Sequence, residues 1–168
     1  MCPTLLHPLE APDLGATVGL PPPGGADGVE GIDLLVLRLD EVAQAFASDT
    51  GVVTDWSSDA ERDPTGLPPA LSALVFDTLC AALDNVAHHS HAQGVVARLR
   101  HSGSDLSLLV RDDGRGAPPS AFTREAHTTL SQLRARADLL GGWLQIDSQL
   151  GQGTQLILSL PLPFKRSR

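Results

Sequence analysis

Three groups of residues have types and spacings that could do chemistry. The first is Asp77, Ala81, Asn85 and His89, each four residues from the last, with His88 beside them. In a helix such residues stack along one line, about 6 Å apart per turn. An asparagine amide oxygen can ligate a hard cation such as Mg²⁺, which also keeps waters and shares phosphate oxygens. Taken alone, the line reads equally as a solvated helix face beside a core stripe. The cluster His88-His89-Ser90-His91 invites a zinc reading. Adjacent histidines point in different directions on a helix, and no second ligand group is near in sequence, so that reading is set aside. The second group is Val110-Arg111-Asp112-Asp113-Gly114-Arg115-Gly116, where a strand delivers an aspartate to a turn with two glycines. Glycine permits positive φ and close backbone approach to a ligand. A strand-end carboxylate can accept a hydrogen bond from an exocyclic amine, which is one way to read adenine. Alone, this motif is also an ordinary β-turn. The third group, Gly141-Gly142-Trp143-Leu144 with Gly151-Gln152-Gly153-Thr154, reads by itself as a helix stop and a hairpin.

The elements that must position these residues follow from periodicity. Leu34, Leu35, Leu37, Val42, Ala45 and Phe46 predict a short amphipathic helix over 32–47. Val52 to Trp56 reads as a strand, and Ser57 to Gly66 as a polar loop. Pro68-Pro69 opens a second helix, with proline where a helix tolerates it. Leu71, Leu74, Val75, Leu79, Ala82, Leu83 and Val86 form its apolar stripe, and it carries the Asp77–His89 line on the opposite edge. Gly94–His101 and Asp105–Asp112 are strands joined by a tight Ser102-Gly103-Ser104 loop. Residues 117–128 read as irregular. Leu130–Leu140 is a helix stopped by Gly141-Gly142, and Trp143–Ser148 and Thr154–Leu160 make a last hairpin. Most strand neighbours are joined by hairpins, so the sheet should be mixed, with every helix on one face. The fold class is α/β, a two-layer α/β sandwich.

The order and spacing of the three groups are more specific than any one of them. Leu83-Asp84-Asn85-Val86-Ala87-His88-His89-Ser90-His91-Ala92 resembles the N-box of the GHKL ATPases, and Asp112-x-Gly114-x-Gly116 resembles their first glycine box. Leu133 to Gly142, then Gly151-x-Gly153-Thr154 and Leu160-Pro161, is similar to the C-terminal part of NarX/DesK-like sensor histidine kinases. The resemblance covers roughly residues 33–163. It implies the Bergerat (GHKL) fold and an ATP site between the N-box helix and the loop after Gly116. It implies that Asn85 ligates the Mg²⁺ bridging the phosphates and that Asp112 binds the adenine amino group. Gly114 and Gly116 would open the pocket, and Thr154 would support its adenine side. His89 matches the histidine that closes the N-box and takes the catalytic position. His88 stands where the family often has a lysine near phosphate.

Three departures bear on catalysis. The N-box glutamate position, four residues before Asn85, is Ala81, which removes a candidate base. Asp77 is a turn further back and shorter. The lid normally ends Gly-x-Gly-Leu, and here the residues are His127-Thr128-Thr129-Leu130. Those glycines let backbone N–H groups at a helix N-terminus approach phosphates. Thr129 and Gln132 have capping-box spacing instead, which would occupy such groups internally. No dimerisation helix pair with a phosphoacceptor histidine is visible, and His7 lies in a proline-rich tail.

Composition sets the outer bounds. The chain has 168 residues, 42% hydrophobic and 19% charged, as in an ordinary globular domain. Its organisation is a Pro/Gly-rich tail over 1–31 with six prolines and six glycines, an ATP-binding domain over 32–163, and a basic tail over 164–168. The tail is expected to be disordered. The net charge is -8, and it is uneven: residues 1–92 balance to -12 and residues 93–168 to +4. The overall sign disfavours nonspecific nucleic-acid binding, and six aromatics without a tyrosine make no base-stacking platform. The basic half suits a small anion. No run is expected to reach the roughly 20 apolar residues of a membrane helix, and the N-terminus lacks a secretory pattern. Cys2 and Cys80 make no disulfide framework, and Cys80, in an apolar run, reads as a buried thiol. A cytoplasmic location is expected.

The sequence therefore predicts the ATP-binding domain of a two-component sensor histidine kinase, using ATP and Mg, with weakened phosphotransfer. Its partner would be a histidine-containing dimerisation domain or a response regulator. The rivals are a non-catalytic module that binds a kinase or response regulator, and an anti-sigma-like switch kinase.

Overall fold

A computed structural model describes residues 31–60, 66–118 and 129–162. The 1–30 part of the tail, the lid residues His127 and Thr128, and the basic C-terminal tail lie outside the described residues.

The first helix, α1, spans Ile32–Thr50, longer than the apolar pattern implied. Ser48 and Thr50 extend its last turn by donating their hydroxyls to the carbonyls of Gln44 and Phe46. Gly51 then ends it in a left-handed conformation at φ 72°. Strand β1, Val53–Asp59, runs through Ser57 and Ser58, which the sequence placed in a loop. Two outward carboxylates explain the extension. Asp55 takes both terminal nitrogens of Arg98, the closer at 2.5 Å, and Asp59 lies 3.5 Å from Arg100. Such cross-strand pairs favour the paired register over a loop.

Helix α2, Pro69–Asn85, continues as a π-helical turn, Val86–Ser90. Strands β2, Gly94–Ser102, and β3, Asp105–Asp112, form a hairpin. Helix α3, Thr129–Leu139, precedes a second hairpin of β4, Trp143–Gln149, and β5, Gly153–Pro161. The sheet order is β1-β2-β3-β5-β4. Only β1 and β2 pair in parallel, because α2 carries the chain back between them. The other three pairings are antiparallel, so the sheet is mixed as expected.

Alternation assigns the faces. Val95, Ala97 and Leu99, Leu106, Leu108 and Val110, and Leu156, Leu158 and Leu160 are all buried. They meet Leu35, Leu39 and Phe46 of α1 and Leu74, Leu79 and Leu83 of α2 in one core. Leu133 and Ala137 of α3 join it. The opposite face carries Arg98, Arg100 and Arg111 and is open to solvent or partly so. The two-layer α/β sandwich is therefore the observed fold.

One expectation is corrected. The segment Pro69–Ser90 is long and apolar enough, by length and composition, to cross a membrane. Its apolar stripe is the one buried in the sandwich, with Leu74, Val75, Leu79 and Leu83 fully covered. Core packing accounts for that composition. Cys80, on the same helix, is partly buried, and burial followed by the nearby Asp77 charge pushes its thiol up to about 12. It is an unreactive packing residue.

Candidate functional site

The strand pattern that buries Leu106, Leu108 and Val110 also points Asp112 toward the helices, where it is 4% exposed. Its carboxylate accepts the Gly114 N–H at 2.8 Å and the Thr154 N–H. Burial raises its pKa, and those two N–H groups oppose the rise. Asp113, the next residue, points the other way. It accepts the N–H groups of Gln93 and Gly94, both at 2.9 Å, which hold its carboxyl below the usual range. The two adjacent acids thus have separate tasks: Asp113 ties the end of β3 to the start of β2, and Asp112 stands under the helices.

The glycines are required by contact. A Cβ on Gly114 would collide with the carbonyl oxygen of Ser90, and one on Gly116 with that of Gln149. Gly116 also has φ 63°, which a side chain would strain. The turn is held on two sides. The Arg115 N–H donates to Ser90 O at 2.7 Å, and the Gly151 N–H donates to Arg115 O at 2.6 Å. The Ala117 N–H donates to Ser148 Oγ at 2.8 Å.

The helix side of the site departs from the predicted line. The π-helical turn over Val86–Ser90 takes more residues per turn, so the four-residue line breaks after Asn85 and His89 is displaced from it. Ser90 fastens the turn: its Oγ donates to Val86 O at 2.9 Å and accepts the Ala92 N–H at 3.0 Å. Asn85 is partly buried, and its amide has no hydrogen-bond partner among the described residues. His88 is exposed, with Nδ1 2.9 Å from Asp84 O and 3.1 Å from its carboxylate. His89 is exposed too, its ring 6.1 Å from that of His88. Ala81 packs partly buried against the core. Asp77 is bound to Arg136 of α3 at 2.6 Å, so it is a link between helices rather than a stand-in for the missing glutamate. Thr129 is the first described residue of α3, and the residues before it lie outside the described ones.

The structure therefore brings Asp112, Gly114, Gly116 and Thr154 together and sets them against Ser90, the last residue of the π-helical turn. Sequence reasoning missed Ser90, Asp113 and Ser148. Each acts through a partner distant in sequence or through a hydroxyl, which no local spacing reveals. Ser148 is nonetheless one of the six buried polar or charged residues among those described.

Residues 72–164 match the family model described as histidine kinase-, DNA gyrase B-, and HSP90-like ATPase. Among curated proteins, the chain is 28% identical over 132 residues to the sensor histidine kinase LnrJ of Bacillus subtilis, covering 79% of this chain and 32% of that one. It is 26% identical over 130 residues to the signal transduction histidine-protein kinase/phosphatase DegS of Brevibacillus brevis, covering 76% and 32%. The chain thus spans about a third of the length of these relatives. Among solved structures, it matches the histidine kinase domain of the Erythrobacter litoralis EL346 blue-light activated histidine kinase with a TM-score of 0.64 at 24% identity. That match covers 83% of this chain and 66% of the other, and it speaks to the fold.

Proposed function

The chain belongs to the histidine kinase-, DNA gyrase B- and HSP90-like ATPase family, and from that premise we propose that it is the ATP-binding domain of a two-component sensor histidine kinase, weakened in phosphotransfer. The observation that carries the reading is Asp112. It is a buried carboxylate on the helix side of the sheet, held by two backbone N–H groups and with acceptor capacity left over. A buried carboxylate of raised pKa among collision-tight glycines is costly as mere scaffolding and suited to a ligand that donates hydrogen bonds.

The residues present fit an adenine nucleotide. Asp112 would accept from the adenine amine, Gly114 and Gly116 would let the turn pack close against Ser90 and Gln149 beside it, and Thr154 would line the same wall. Asn85, partly buried at the end of α2, would hold Mg²⁺. His88 and His89, exposed at the end of α2, would lie on the phosphate side. ATP supplies the transferable phosphoryl group, and Mg²⁺ neutralises its charge. The chain's own part is to bind and orient. Ala81 offers no carboxylate at the N-box base position, and Asp77 is tied to Arg136, so the activating group is missing. A cytoplasmic location and a partner that is a phosphoacceptor domain or response regulator belong to the same reading.

Labelled ATP tests it. The chain should label a supplied histidine phosphoacceptor domain slowly, and should not label itself. Fast acid-labile labelling of a histidine in this chain would refute the reading.

A further inference from the structure

The end of β4 holds a hydrogen-bond web that the proposed function has not used. Ser148 is 8% exposed and pairs across the hairpin with Thr154. Its Oγ accepts the Ala117 N–H at 2.8 Å, lies 3.2 Å from Gly153 O and lies 2.9 Å from Thr154 Oγ1. A hydroxyl has one proton and two acceptor sites. The Ala117 N–H can only donate, and the Gly153 carbonyl can only accept. One arrangement gives each of these four groups a partner. Ser148 donates to Gly153 O and accepts from both Ala117 and Thr154. The hydroxyl protons are thus assigned from the network.

The consequence falls on Thr154. Its hydroxyl proton is committed to Ser148, and its backbone N–H to the Asp112 carboxylate. Only lone pairs of the hydroxyl remain. Alternation puts Thr154 on the same side of β5 as the buried Leu156 and Leu158, the side that Asp112 also faces. The side chains of this wall therefore offer acceptors alone.

We propose that Ser148 is a positioning residue for purine specificity: by holding the Thr154 proton, it keeps the pocket wall an acceptor of hydrogen bonds. The inference rests on the adenine reading of Asp112. An adenine amine donates to such a wall. A guanine carbonyl in the same place meets lone pairs and finds no proton. Without the Ser148 hydroxyl, the Thr154 proton turns free and can donate to that carbonyl.

The test is the affinity of the whole chain for ATP and for GTP, each with Mg²⁺, alongside a melting curve. The wild type should prefer ATP. Ser148→Ala should shrink the ATP-to-GTP affinity ratio about tenfold, the scale of one hydrogen bond gained or lost. Ser148→Thr, which keeps the hydroxyl, should restore it. Equal weakening of both nucleotides, or no change in either, would overturn the proposal and reduce Ser148 to a structural part. If Ser148→Ala does not fold, Thr154→Val decides: an unchanged ratio overturns the proposal. A wild type that binds neither nucleotide overturns the adenine reading itself, and the inference with it.

Discussion

Asp112 and Asp113 are neighbours in sequence with opposite electrostatic histories. Strand geometry sends one toward the core and the other to the surface, and their pKa shifts take opposite signs. The signs give separable pH behaviour. Asp113 is held below the ordinary carboxylate range, so its stabilising contribution is present above that range and is lost as pH falls through its folded value. Asp112 is raised, so its ionisation opposes folding once pH rises through its folded value. Acid and thermal melts should show this. Asp113→Ala should melt below the wild type at pH 7, with the gap closing under acid. Asp112→Asn should melt above the wild type at pH 7, with that gap also closing under acid. Asp112 and the glycines were legible in the sequence because a strand alternation led straight to them. Asp113, Ser90 and Ser148 were not, since their partners Gly94, Arg115 and Ala117 lie 19 to 31 residues away or come together only when the sheet forms.

Helix α2 shows where periodicity suffices and where it stops. Its apolar stripe predicted the buried face from Leu71 to Leu83. The π-helical turn after Asn85 left no mark in the spacing, because a slipped backbone ladder changes no residue type. Strand β1 was under-read for a similar reason: Ser57 and Ser58 look like loop residues until Arg98 and Leu99 are placed opposite them. The helix also decides the fate of Ala81. A carboxylate there would sit at the helix–core boundary, where Ala81 is partly buried. Ala81→Glu should therefore lose about 1–3 kcal/mol of stability by denaturant melting. It should not by itself raise transfer to a phosphoacceptor domain, because His127 and Thr129 still stand where lid glycines would be. A tenfold rise in transfer from that single change would show that the missing glutamate is the sole defect.

Across the whole molecule, the charge imbalance between the two halves is partly cancelled by folding. Asp55 and Asp77 from the acidic half pair with Arg98 and Arg136 from the basic half. Solvent screens these exposed pairs, so they set register more than stability. They also mean that the surplus of positive charge in residues 93–168 is not all available to an anion. The mixed sheet and single helical layer were legible because hairpins and one crossover leave few ways to bury these stripes. What the molecule is built to hold is decided at the Asp112 turn. Calorimetric titration of the whole chain with Mg-ATP, repeated on Asp112→Ala, addresses it. The wild type should bind saturably, with ADP close to ATP in affinity, and the variant should give no binding heat. Absence of binding heat in the wild type at millimolar nucleotide, or unchanged binding in Asp112→Ala, would contradict the assignment of this pocket to ATP.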